Sequence, residues 1–137
     1  MLSIETDDIL FEILNASTVL KAQLSGGIYV QGERPDDSED EDIVINCLYL
    51  SHDIPQSGTS NVNIHVPDKK TKIRGKEQRK ADRERLRLLT SLVLAVLKSA
   101  KVTGLTINVA NETVIKEPDI SQHYNNLRID WNIHLTD

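Results

Sequence analysis

The sequence predicts an α+β domain, an antiparallel or mixed β-sheet containing a long β-hairpin and packed against one N-terminal helix and one long central helix. Three observations predict it. Glu41 to Asp68 reads as two strands joined by a polar loop: Ile43 to Leu50 is rich in β-branched and apolar residues, and Val62, Ile64 and Val66 alternate with Asn61, Asn63 and His65. Leu86, Leu89, Val93, Val96 and Ala100 recur at helical spacing. Leu127, Ile129, Trp131, Ile133 and Leu135 alternate with Arg128, Asp130, Asn132 and His134, as expected of a sheet covered on one face.

Taken in order, Thr6 is placed to cap a first helix with Asp7 and Asp8 near its positive end, and Ile9, Leu10, Ile13 and Leu14 form its apolar stripe. A short helical turn over Thr18 to Leu24 follows, Gly26-Gly27 marks a stop, and Ile28-Tyr29-Val30 reads as a short strand. Residues 31 to 42 hold Gly32, Pro35 and an acidic run but few apolar residues to offset the entropy of ordering, so a mobile surface loop is expected. The hairpin's turn spans Ser51 to Gly58, and its second strand stops at Pro67. Lys69 to Lys80 is basic and nearly free of apolar residues, either a flexible arm or the exposed start of a helix. The central helix begins near Asp82. Leu105 to Val109 and Glu112 to Lys116 read as two short strands around an Ala110-Asn111 turn, the second ended by Pro118, and the closing strand runs from Tyr124 to Leu135.

A chain of 137 residues is expected to form one domain with a core that needs no metal or disulfide staples. Its single cysteine excludes an internal disulfide framework and fits a reducing compartment or a virion-like assembly. The acidic opening MLSIETDDILFEIL lacks a basic n-region and a small-residue cleavage site, so no signal peptide is read. The longest apolar run, Leu86 to Leu97, is interrupted by Arg87, Thr90 and Ser91 and falls short of the roughly 20 residues that span a bilayer, so no membrane partner is expected. The net charge of −5 conceals segregation: Lys69 to Arg87 holds ten of the sixteen basic residues and three acids, whereas Glu33 to Asp42 holds seven acids and one arginine. Opposed poles suit head-to-tail contacts between copies as readily as contact with nucleic acid.

No grouping of residues points to catalysis. Cys47 has no Cys-x-x-Cys partner and no nearby base to activate it, and reads as a small core hydrophobe. His52, His65, His123 and His134 lack metal-ligand spacing, and the acidic run lacks the glycine and terminal glutamate of a calcium loop. Gly26-Gly27 and Gly75-Lys76 are too short to cradle phosphates, and no glycine-flanked nucleophile is present. Neither an enzyme nor a cofactor is expected.

The text Gly27-Ile28-Tyr29, then Arg34-Pro35, then Glu41-Asp42-Ile43-Val44-Ile45-Asn46, then Gly58-Thr59-Ser60-Asn61-Val62-Asn63-Ile64, together with the succession of elements, resembles the tail-completion or tail-terminator proteins of tailed phages and prophages. The resemblance covers roughly Thr6 to Leu135, and its motifs encode a hairpin and the turn leading into it rather than chemistry. It implies a structural role: copies form a ring, hexameric in the family pattern, that caps the tail tube or joins it to the neck, in the cytoplasm during assembly and then in the virion. The implied partners are further copies of the chain and the tail-tube and neck proteins. Candidate contact residues are His52 and Gln56 at the hairpin tip, Asn61, Asn63 and His65 on its polar face, and the acidic Asp37, Glu39, Asp40 and Glu41 of one copy meeting Arg79, Arg83 and Arg87 of the next. The alternative is an accessory protein binding nucleic acid through residues 69 to 87, by charge, since that stretch has no aromatic platform.

Overall fold

The computed structural model describes residues 1–117 and 119–134. The chain runs α1 (Ser3–Asn15), α2 (Thr18–Gln23), β1 (Ile28–Val30), β2 (Asp42–Leu50), β3 (Gln56–Pro67), β4 (Lys69–Ile73), β5 (Lys76–Lys80), α3 (Arg83–Ser99), β6 (Leu105–Glu117) and β7 (Gln122–Ile133). Five strands form one sheet in the order β1-β2-β3-β7-β6, with β4 and β5 as a separate two-stranded ribbon. Only β1 and β2 pair in parallel, so the sheet is mixed and the α+β expectation holds.

Register explains the division of the sheet into two faces. Ile43 pairs with Ile64, Ile64 with Asn125, Ile45 with Val62, and Val62 with Leu127, so these residues point to the same side. They meet Leu10 and Leu14 of α1, Leu20 of α2, and Leu86, Leu89, Val93 and Leu97 of α3 in one buried cluster, completed by Ile129 and Trp131. The opposite face carries Val44, Asn46, Asn61, Asn63, His65, Tyr124, Asn126, Arg128 and Asp130. The alternation read in β3 and β7 therefore holds; Leu135 and Pro118 lie outside the described residues.

Four expectations change. α1 begins at Ser3, so Thr6 sits inside the first turn, buried, with its hydroxyl donating to the Ser3 carbonyl at 2.6 Å, and the Glu5 carboxylate accepts the Leu2 N–H instead. The hairpin turn is shorter than Ser51 to Gly58, because β3 already begins at Gln56. Leu105 to Glu117 is one strand rather than two: Ala110 is a bulge between the Val109–Ile129 and Asn111–Arg128 pairs, and an extra residue of this kind bends a strand without ending it.

The fourth concerns Lys69 to Lys80, which is neither a helix start nor an unstructured arm. Lys69 pairs with Lys80, Lys70 with Arg79, Thr71 with Gln78, Lys72 with Glu77, and Ile73 with Lys76. Arg74 and Gly75 close the turn with φ of 52° and 75°. Positive φ at both central residues matches the right-handed twist of the flanking strands, and glycine supplies one of them without steric cost.

Candidate functional site

The polar face of the sheet is held together by a network centred on Arg34. Its Nε donates to Asp42 Oδ2 at 2.8 Å, one terminal nitrogen donates to Gln122 Oε1 at 2.9 Å, and the other lies 3.3 Å from His65 Nδ1. Gln122 returns to the acidic loop by donating to the Ser38 carbonyl at 2.7 Å, and the Ser38 hydroxyl donates to Asp42. The Gly27 N–H supplies a further donor to Asp42 at 2.8 Å. The expected mobile loop is thus pinned at Arg34 and Ser38, although Asp36, Asp37, Glu39 and Asp40 stand exposed. Gly26 before β1 has a steric cause: a Cβ there would collide with the Asp42 carboxylate and the Glu41 carbonyl.

Electrostatics follow from this packing. Burial pushes Asp42 up, but the Ser38 hydroxyl, the Arg34 guanidinium and the Gly27 N–H outweigh it and hold the carboxyl below its usual range. Burial, reinforced by the Arg34 charge, depresses His65 to about 4 against the opposing pull of Asp42. A guanidinium facing Nδ1 needs a lone pair there, which a protonated imidazole lacks. The ring stacks on Tyr124 with centroids 5.0 Å apart.

Acidification is expected to destabilise the fold through His65. Between the ordinary histidine value of 6.5 and the folded value of about 4, the unfolded chain binds the proton that the folded chain refuses, so stability is complete above the first and falls as pH drops toward the second. The loss should be on the order of 2–3 kcal/mol. Asp42, whose folded value is lowered, adds a further loss as pH falls below the ordinary carboxylate range. Urea midpoints measured from pH 7 to pH 4 should show the decline, and His65→Gln should flatten its upper part; an equally steep decline in that variant would remove His65 as the cause.

The remaining candidate contact residues divide into structural and exposed groups. Asn61 and Asn63 both accept from Asn126 Nδ2, at 3.0 and 2.6 Å, so the strand face reads as a cross-strand amide ladder with Asn61 and His65 largely buried. Glu41 is also structural: buried, it takes a forked pair from Arg85, with Nε at 2.6 Å and a terminal nitrogen at 2.7 Å, which holds the guanidinium pKa up. Gln56 turns inward to the Ser51 carbonyl at 2.8 Å, leaving His52 exposed at the tip beside Ile54, which is fully exposed. Asp37, Glu39 and Arg79 line a single cleft of about 600 Å³ within one chain, so the acidic loop lies beside the foot of the basic ribbon rather than at an opposite pole.

Arg83 and Arg87 are exposed on α3 and line a groove of about 330 Å³ between that helix and β6, with Leu86, Thr90, Leu94, Val114 and Asn125. Asn125, which sequence reasoning passed over, is buried on the core side of β7; its Nδ2 donates to Thr90 Oγ1 at 3.0 Å while its Oδ1 has no partner among the described residues. A buried amide oxygen left unpaired is costly, so a donor brought into this groove would be well received. No cluster of metal-ligating side chains occurs among the described residues. Cys47 Sγ lies 3.8 Å from the Thr59 carbonyl within the hairpin. No helix among the described residues is long and apolar enough to cross a membrane. Neither a scan against protein-family models nor a search of curated proteins returns a match for this chain.

Proposed function

We propose that this protein is a non-enzymatic structural component of a phage or prophage tail, whose copies close into a ring that completes the tail tube or joins it to the neck. The observation that carries the self-association is the free edge of the sheet. β6 extends over 13 residues with β7 as its one neighbouring strand among the described residues, and its outer half, Asn111 to Lys116, is exposed. Such an edge offers a row of unpaired backbone groups to another chain. The Ala110 bulge and the charges of Glu112, Lys116 and Glu117 restrict which strand can pair there, which favours a defined partner over open-ended aggregation. Beside the edge lies the α3–β6 groove with its unpaired Asn125 carbonyl. The tail context rests on the resemblance of the hairpin and its leading turn, and the assembly is cytoplasmic before it joins the virion.

Light scattering across a wide concentration range, with negative-stain imaging of the same samples, should show closed rings. Val114, about half exposed on β6, is the residue to change. Val114→Asp leaves the protomer's core untouched but puts an unpaired charge into the closing contact, which costs several kcal/mol and should raise the concentration needed for assembly by roughly a hundredfold or more. A protein that stays monomeric at every concentration, alone and with tail tubes, would count against the ring.

A further inference from the structure

The ribbon β4–β5 is used neither by the core nor by the proposed ring contact. It leaves the body between two anchored aspartates: the Asp68 N–H donates to the Ser121 carbonyl at 2.9 Å and its buried carboxylate meets His123 Nδ1 at 2.6 Å, while the Asp82 carboxylate accepts the Arg85 N–H at the start of α3. Its strands pair with each other and, among the described residues, join no other sheet. Seven of its twelve residues are cationic, one is acidic, and Ile73 is its single aliphatic side chain. Lys69, Lys76 and Lys80 share one face, and Lys70, Lys72 and Arg79 share the other. Among the described residues its one ion pair is Lys70–Glu77 at 3.7 Å, with both side chains at least 60% exposed, a weak and salt-screened contact.

We propose that this ribbon docks on the phosphate backbone of B-form duplex DNA, inserted along the major groove. That groove is wide enough for a two-stranded β-ribbon, and cations on both faces then reach the phosphates of both groove walls. Three features favour this ligand over others. A protein interface would need several apolar or aromatic anchors in desolvated pockets, and the ribbon offers Ile73 alone. A single strand would need aromatic stacking platforms, also missing. The deep, narrow major groove of A-form RNA does not admit such an element. Arg83 and Arg87, one helical turn apart beyond the ribbon's foot, extend the positive track onto α3. Asp37 and Glu39 lie beside Arg79 at the ribbon's foot, so repulsion from the acidic loop directs the approach to the ribbon's outer part and tip. The ribbon alone is enough for this docking, so it does not depend on whether a second copy in a ring covers Arg83 and Arg87 in the α3–β6 groove.

The test is fluorescence anisotropy of a labelled duplex of mixed sequence with the full-length protein, titrated at several sodium chloride concentrations. Binding at low salt should weaken with a log–log slope of about −4 to −6, as for five to seven phosphates neutralised. The variant Lys72→Gln/Arg74→Asn/Lys76→Gln changes exposed tip residues and places asparagine, which tolerates left-handed backbone, at the positive-φ position. It should lower the slope by about 3 and the affinity at least tenfold, with an unchanged urea midpoint. Absence of binding at low salt overturns the proposal, as does binding that the variant leaves intact. Tighter binding of single-stranded DNA or duplex RNA, or equal binding of polyglutamate, overturns the assignment to B-form DNA and marks the ribbon as a site for other polyanions.

Discussion

Arg34→Met is expected to destabilise the protein by about 3–5 kcal/mol, enough to lower the thermal midpoint by roughly 10–20 °C. The Asp42 side chain is 1% exposed and the Arg34 side chain 14%, so the pair is largely out of water. Removing the guanidinium leaves the carboxylate facing only the Ser38 hydroxyl and the Gly27 N–H, and takes the donor from Gln122 Oε1 as well. The size of the effect is the penalty for stranding a buried charge, which exceeds the net worth of the pair itself. Two further outcomes separate this cause from a simple packing loss. Arg34→Lys should recover only part of the stability, because an ammonium cannot fork to Asp42 and Gln122 together. The acid sensitivity assigned to His65 should shrink in Arg34→Met, since the charge that helps depress that imidazole is gone. A loss below about 1 kcal/mol, within the range of an exposed ion pair, would show that the network does not hold the loop.

Sequence periodicity revealed most of the fold and little of the site. β3 and β7 were legible because one of their faces packs on the helices and the other carries the polar network, so apolar and polar residues alternate cleanly from Val62 to Val66 and from Leu127 to Ile133. α3 was legible for the same reason at helical period, with Asp82 as its cap. The ribbon was not: it buries no side chain fully, so no hydrophobic pattern announces it, and its order comes from Arg74-Gly75 and cross-strand pairing. Thr71 and Ile73, alternating with lysines just before Arg74-Gly75, were the available signal, outweighed by charge. Ala110-Asn111 read as a turn because a bulge and a turn interrupt alternation alike, and only the register against β7 tells them apart.

The site was hidden because its contacts are non-local. Arg34 and Gln122 are 88 residues apart, and Asn125 and Thr90 are 35 apart, separations at which no spacing rule operates. Charge counting also treated each acidic residue of the 33–42 run as equivalent. The fold distinguishes them: Glu41 and Asp42 are consumed by Arg85 and Arg34, while Asp37, Glu39 and Asp40 remain at the surface. Charge reversal at the last three should hence alter contacts, whereas change at the first two would alter the fold.

Trp131→Ala carries the other large expected effect, also about 3–5 kcal/mol, by a different route. The indole is 1% exposed within the core cluster, and its Nε1 donates to Ser60 Oγ at 2.9 Å. It lies in register with Gly58 of β3 on one side and Ile107 of β6 on the other, so it bridges three strands at a position where β3 offers no side chain. Truncation removes that bridge and leaves a cavity that the surrounding strands cannot close, because β3 and β7 are paired along their whole length. Trp131→Phe separates the two contributions: it keeps most of the apolar surface and loses the bond to Ser60, and should cost about 1–2 kcal/mol. Since Trp131 is the one tryptophan, both variants need circular dichroism rather than fluorescence as the unfolding probe. Equal losses in the two variants would assign most of the stabilisation to the Ser60 hydrogen bond, and a loss below about 1 kcal/mol in Trp131→Ala would mean that the sheet repacks around the missing ring. The expected ordering, with alanine far below phenylalanine, assigns the stability of this end of the sheet to the buried ring, which pairs through Ile107 with the same strand, β6, whose outer half offers the proposed contact.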